Sequence, residues 1–372
     1  MLSFLVGIVR RWVSETGDTY LLGLVRMCVG AILFWHALGA ARELETLGYF
    51  GDAYHAPLIP ESLVAPRAVY TVLVAVRLIA AVLVTVGSFP RAALLTSALL
   101  GTYTLLCDRI GYHHNRYALD CYAFLIAFAP CDRSWILAGP PGTTASRTGF
   151  LWAQRLAQVQ LSIVYLTSGG SKLLDPDWRG GLVIGDRFAR YGYQALQHGV
   201  PRGVVDLLSQ PASTSALSKL AIATELFLAV ALWSKRTRVF ALWWGTCFHL
   251  TIELTSQVET FTWLTLAMFA LFATSDVGAR KLFFDPSRPK GVVLAGLVAS
   301  LDWLGRFDVR GWEPDRLKTG HVIVVVRRDG SRATGIRAVA MVARCVPLLF
   351  PLWAPLALVA SFTKGGEAST AA

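Results

Sequence analysis

The stretch LSIVYLTSGGSKLLDPDWRGGLVI, residues 161–184, leads a lysine, two aspartates and a tryptophan out of a strongly apolar run. A lysine at the end of a membrane helix can snorkel to the interface and do no more. Stripped of water, its amine can instead act as a base near neutral pH. The setting of Lys172 favours chemistry. The SGGS sequence gives it small neighbours, so backbone or a ligand can come close, and LLDPDW returns the chain to the interface with Trp178 as an anchor.

Two further polar sets share the depth expected for Lys172. The loop YHHNRY holds His113, His114, Asn115, Arg116 and Tyr117, hydrogen-bonding groups suited to an oxygen-rich substrate or cofactor. Adjacent side chains on a helix point about 100° apart, so the two histidines make a poor metal site, and neither has an i, i+4 partner. No metal is expected. The third set is His249 with Glu253 in WWGTCFHLTIELTSQVETF, where a spacing of four lets the carboxylate orient the imidazole.

Arg26, His36, Arg77, Asp120, Arg155 and Glu225 also fall inside apolar runs. Ionisable groups there are costly, so each either pairs to hold a bundle together or serves a site.

These residues need helices to carry them. The chain has 372 residues, 54% hydrophobic and 16% charged, against roughly 25% charged in a soluble domain. Apolar runs near 20–40, 68–89, 92–107, 117–137, 151–169, 216–234, 239–255 and 259–275 approach the roughly 20 residues that cross a bilayer. The fold class expected is an all-α polytopic membrane bundle of about eight spans with a small C-terminal α/β module. Residues 1–19 place apolar residues before arginines and lack a cleavage site, which predicts a retained interfacial segment rather than a signal peptide.

The net charge of +11 does not call for nucleic acid, because short basic loops are what membrane orientation requires. Arg10/Arg11, Arg91, Arg133/Arg147 and Lys235/Arg236/Arg238 fall on one side of eight spans. That side is then cytoplasmic, with both termini, and the loops at 41–67, 108–116 and 170–215 face outward together with the candidate site. Six cysteines with no C-x-x-C pair predict neither a metal centre nor a disulfide framework.

Composition shifts near Asp276. Residues 276–363 read as strand, turn and helix, twice over, and residues 364–372 as a disordered tail. The final run VPLLFPLWAPLALVASF carries three prolines, which argue against a ninth regular span and for docking on the bilayer or on the module itself.

Over residues 15–275 the pattern resembles the vitamin K-dependent γ-carboxylase-like membrane domain, called HTTM in bacteria. The residues that carry it are HHNRYALDCYAFLIAFAPCDRSW, WAQRLAQVQLSIVYLTSGGSKLLDPDWRGG, Glu225 ahead of SKRTR, and CFHLTIELTSQVETFTWLTLA. The resemblance implies that Lys172 takes the place of the carboxylases' catalytic lysine, with His249 in a catalytic role. Arg155, Trp178, Glu225, Glu253 and residues 113–117 would then bind quinone or substrate. It implies reduced vitamin K or menaquinol as cofactor, O2 and CO2 as co-substrates, and a peptide substrate approaching from the outer face. The chain departs from the family in one respect: Asn115 occupies the position of a functional histidine, so His113 or His114 must substitute for it.

The C-terminal module resembles the thioredoxin-like DCC proteins, which begin YDGxCxxC. Here FFDPSRPKG puts Arg288 and Gly291 at the two cysteine positions. Without sulfur at either, the module is expected to be redox-inactive. Two other functions compete with the enzyme: a non-catalytic accessory or peptide-maturation factor, and a DoxX-like quinone-linked membrane subunit.

Overall fold

The computed structural model describes residues 12–136, 147–255, 260–311 and 322–363, together with Gly7, Arg10 and Val258. The chain divides into two units, 1–273 and 274–372. The tail 364–372 and much of the first eleven residues of the N-terminal segment expected to be interfacial lie outside the described residues.

The first unit is helical. Helix α1 spans Tyr20–Thr46, α2 Arg67–Val86 and α3 Pro90–Cys107. Pro90 opens α3 at the position where a missing N–H costs nothing, so α2 and α3 are joined by three residues. Helix α4 spans His114–Ala127. The apolar run expected over 117–137 is therefore cut short. Pro130 cannot continue a helix, and the chain turns through Cys131, whose N–H donates to the Ala129 carbonyl at 2.8 Å.

Two short strands, β1 at Thr16–Asp18 and β2 at Thr148–Phe150, pair antiparallel ahead of α1 and α5. Three residues carry no usable periodicity, and the sequence reading contains no such ribbon. Helix α5 spans Trp152–Leu174, α6 Pro176–Gly180, α7 Leu182–Gln197, α8 Arg202–Leu208 and α9 Pro211–Ala231. Helix α10 spans Arg238–Thr255, and α11, Phe261–Phe269, runs on into a 3₁₀ turn.

Among the described residues, three helical segments are long and apolar enough to cross a membrane: Tyr20–Asp52, Arg67–Val86 and Pro211–Ala231. The other expected spans differ for physical reasons. Helix α4 has 14 residues, about 21 Å at 1.5 Å per residue, short of a hydrocarbon core of about 30 Å. Helix α5 is long enough but carries Gln154, Arg155, Gln158, Gln160 and Lys172.

The core of this unit runs through Val25, Leu94, Leu119, Leu161, Leu228 and Met268. Lipid tails are as apolar as leucine, so helices in a bilayer are held by close packing and polar contacts more than by water exclusion. Gly169 on α5 is an example: a Cβ there would lie 3.0 Å from Leu226 Cγ and 3.2 Å from Glu225 Cβ of α9. Only glycine lets the two helices approach this closely.

The second unit is built on a four-stranded sheet of order β4-β3-β5-β6. Strand β3, Arg280–Phe284, pairs parallel with β4, Phe307–Gly311, after a crossover through α12, Pro289–Leu301. Strand β5, Ile323–Val326, pairs antiparallel with β3 and with β6, Arg332–Thr334. Helix α13, Gly335–Cys345, follows, then a 3₁₀ segment over Pro347–Leu352 and α14, Trp353–Phe362. Leu282, Val298, Val325, Ala338 and Val342 form its core. Both β4 and β6 lie in stretches read from sequence as turn or helix; Asp302, whose carboxylate accepts the Phe307 N–H at 2.7 Å, marks the start of the first.

Candidate active site

Lys172 lies in the last turn of α5, where Leu173 and Leu174 lead into Asp175. Asp175 caps α6, its carboxylate accepting the Asp177 N–H at 2.8 Å, and Pro176 takes the first helical position. This tight reversal folds Trp178 back over the amine. The indole ring centre stands 4.8 Å from Lys172 Nζ and 5.8 Å from the Arg187 guanidinium of α7. Ser218 on α9 donates to the Trp178 carbonyl and fixes the reversal against that helix.

The amine itself is held from two sides. Its Nζ donates to Ser168 Oγ at 2.9 Å, one turn back on α5, and to Glu225 Oε1 at 2.5 Å on α9. The lysine side chain is 19% exposed and the glutamate 8%, so the pair is largely withdrawn from solvent. Glu225 Oε2 is buried and has no hydrogen-bond partner among the described residues.

Two turns below Lys172 on the same face of α5, Tyr165 is fully buried. Its hydroxyl meets His249 Nε2 of α10 at 2.7 Å. His249 is walled by Phe248, Phe261 and Phe269, and lies within electrostatic reach of Lys172. Its Nδ1 and the Glu253 Oε2 one turn on are buried without partners among the described residues. Tyr165 did not figure among the candidates from sequence. The signal was there in its spacing of seven from Lys172, which repeats a helical face.

The YHHNRY loop joins the same set at its far end. His113 caps α4, its Nδ1 accepting the Asn115 N–H at 3.3 Å, and its ring stacks on His114 at 4.6 Å. Asn115 is 1% exposed, and its amide donates to the Val258 carbonyl at 3.2 Å, just beyond the end of α10. Arg116 reaches Glu43 of α1 at 3.8 Å, and Tyr117 is exposed beside Tyr112. Lys172 and Tyr165 thus share a face of α5, His249 and Glu253 follow one another on α10, the Tyr165–His249 bond joins the two helices, and Asn115 is tied to the segment that follows.

Arg155 stands apart. It opens α5, seventeen residues or about 25 Å from Lys172 along the axis, and is bound to Glu15 and to Gln158. Of the other ionisable candidates, Arg26 is fully buried and donates to the Trp135 carbonyl. Arg77 and Asp120 pair at 3.3 Å, both nearly inaccessible, with Gly101 leaving room for the carboxylate. His36 lies within electrostatic reach of Arg77 and Arg116. These groups belong to the α1–α4 half. A groove of about 340 Å³ between α1 and α2, lined by Ala41, Leu44, Arg67 and Val74 among others, does not include Lys172.

The family model described as HTTM domain matches residues 15–276. Neither a curated protein nor a solved structure matches the chain.

Proposed function

The chain belongs to the HTTM domain family, and from that premise we propose that its helical unit is a membrane enzyme resembling the vitamin K-dependent γ-carboxylases. It would oxygenate a reduced naphthoquinone, vitamin K or menaquinol, and use the outcome to modify a peptide substrate, by carboxylation where CO2 is the partner. The observation that carries this reading is the Lys172 amine, held at 2.5 Å by Glu225 and covered by the Trp178 ring.

Bound there, the quinol would supply through its reaction with O2 the strong base that removes a glutamate γ-proton before CO2 adds. The chain's own residues act on the proton at Lys172 Nζ. Glu225 Oε1, 2.5 Å from that nitrogen, is the carboxylate placed to hold and orient it. Trp178 keeps bulk water off the amine. Tyr165 orients His249, and Asn115 holds the chain beyond Glu253. Glu225 Oε2, His249 Nδ1 and Glu253 Oε2 are buried polar atoms without partners among the described residues, and they fit the hydroxyl groups of a quinol.

The proposal extends to topology. Eight spans with both termini cytoplasmic put the start of α4, the end of α5 and the end of α10 at the outer face, in keeping with the Asn115–Val258 bond. The segments proposed are 1–19 interfacial, 20–275 membrane domain, 276–363 thioredoxin-like DCC module and 364–372 tail. The parallel β3–β4 crossover followed by two antiparallel strands supports a thioredoxin-like module. Arg288 and Gly291 leave it without a dithiol, and a Cβ at Gly291 would stand 2.8 Å from the Asp285 carbonyl oxygen.

A second reading has an observation of its own: the Lys172–Glu225 pair also fastens α5 to α9, as it would in a non-catalytic accessory factor. Purified protein in lipid vesicles, supplied with menaquinol and O2, separates the two. Quinol epoxidation lost in Lys172→Ala supports the enzyme; turnover that survives the change removes the base role, and no turnover in the wild type favours the accessory factor. Mass spectrometry of co-expressed peptides for an added CO2 tests the carboxylation step.

A further inference from the structure

The end of the second unit presents a surface that the proposed chemistry does not use. Arg327 on the turn after β5, Arg337 and Arg344 on α13, and Trp353 on α14 line a groove of about 410 Å³, together with Met341 and Ser361. No carboxylate lines it among the described residues. The Arg344 guanidinium lies 5.6 Å from the Trp353 ring centre, and Arg327 Nε is buried without a hydrogen-bond partner among the described residues. Outside the groove, Leu352 just ahead of α14 and Leu358, Val359 and Phe362 on it stand 54%, 61%, 54% and 80% exposed.

Such an apolar face next to a cluster of arginines has few stable partners. Helix α14 has ten residues, about 15 Å, half of what a span requires, so it cannot cross a bilayer. It can lie in one, its apolar face among acyl chains and its cationic neighbours at headgroup level. Stable attachment of that kind needs two signals, apolar area and basic charge, and both are present here. Trp353 sits where an interfacial tryptophan belongs.

We infer that the α13–α14 groove binds the headgroups of anionic phospholipids while the exposed face of α14 rests in the bilayer surface. The occupant is a lipid rather than a free anion, because the helix that gives the groove Trp353, Ala357 and Ser361 also carries exposed Leu358, Val359 and Phe362, which a soluble phosphate would leave in water.

The test is amide hydrogen exchange on the full chain in nanodiscs of phosphatidylcholine alone or with phosphatidylglycerol at about 30%. Exchange over residues 353–362 is expected to slow about tenfold or more in the anionic discs, and Arg327→Gln with Arg344→Gln to remove most of the difference, since each arginine near such a surface contributes about fivefold. Unchanged exchange in β5 certifies the fold; if the double variant disturbs it, Arg344→Gln alone is measured, with about fivefold expected. Equal protection in both lipids, protection that survives the arginine changes, or no protection in either lipid overturns the inference. So does protection that persists in detergent and rises with protein concentration, which would mean that a second copy covers the face.

Discussion

Lys172 and Glu225 meet at 2.5 Å across the contact between α5 and α9, and the contact is that close because residue 169 has no side chain. The pair and the glycine are parts of one device: the helices approach at Gly169, and one turn later the amine finds the carboxylate.

Glu225→Ala therefore leaves a largely enclosed ammonium without its counter-charge. Breaking a fully buried pair costs about 3–5 kcal/mol and an exposed one under about 1 kcal/mol, so this pair should lie between, near 1–3 kcal/mol. Thermal unfolding in detergent measures it, and Lys172→Leu combined with Glu225→Leu should recover most of the loss. A double variant no more stable than Glu225→Ala would mean that the pair is not the source.

Neighbouring glycines should respond in opposite ways. Gly169→Ala pushes a Cβ against Leu226 and Glu225, and overpacking of this kind costs about 1–3 kcal/mol. Gly170→Ala meets nothing within 4 Å inside the same helix and should gain up to about 1 kcal/mol, melting at or above the wild-type temperature. If quinol turnover depends on the Lys172–Glu225 distance, it falls in the first variant and stays in the second.

Asp120→Asn removes the counter-charge of the nearly inaccessible Arg77. A loss of about 3–5 kcal/mol is expected, enough to lower the yield of folded protein in the membrane. Fluorescence-detected size exclusion of tagged protein reads this directly; an unchanged monodisperse peak with unchanged melting would contradict it.

At the other end of α5, Arg155 hydrogen-bonds Glu15 and holds that carboxyl below its ordinary value of 4.5. A group whose pKa is lowered on folding contributes stability that is complete above the unfolded value and fades as pH falls through the folded one. Wild type should therefore lose its advantage over Glu15→Gln on acidification below about pH 4.5 and keep it undiminished at neutral pH. Melting curves from neutral to acid pH check the sign: a gap between the two that widens on acidification would be the wrong one.

Much of this arrangement is legible in the sequence because its signals are local. The Lys172 neighbourhood, the His249–Glu253 spacing and the change of character near Asp276 all sit within single short stretches. The membrane helices announce themselves through apolar runs, yet among the described residues only three segments meet both length and apolarity; α5 spends its length on polar residues and α4 stops ahead of Pro130. What stayed hidden is long-range. Nothing near Arg155 says that Glu15 will claim it, nothing near Asn115 points to Val258, and Arg187 meets Trp178 only because α6 reverses the chain. Tyr165 was within reach of a periodicity argument, but a tyrosine in an apolar run looks like packing until its partner is seen.

The β1–β2 ribbon has a consequence for how the protein is made. Asp18 pairs with Thr148, 130 residues further along, and the Leu151 N–H closes the clasp on the Glu15 carbonyl at 2.9 Å. At roughly 5–20 residues per second, a ribosome leaves the first strand without its partner for roughly 7 to 26 seconds. During that interval α1 to α4 are made with their leading end untied, and the clasp between the two ends of that stretch shuts only as α5 begins to emerge.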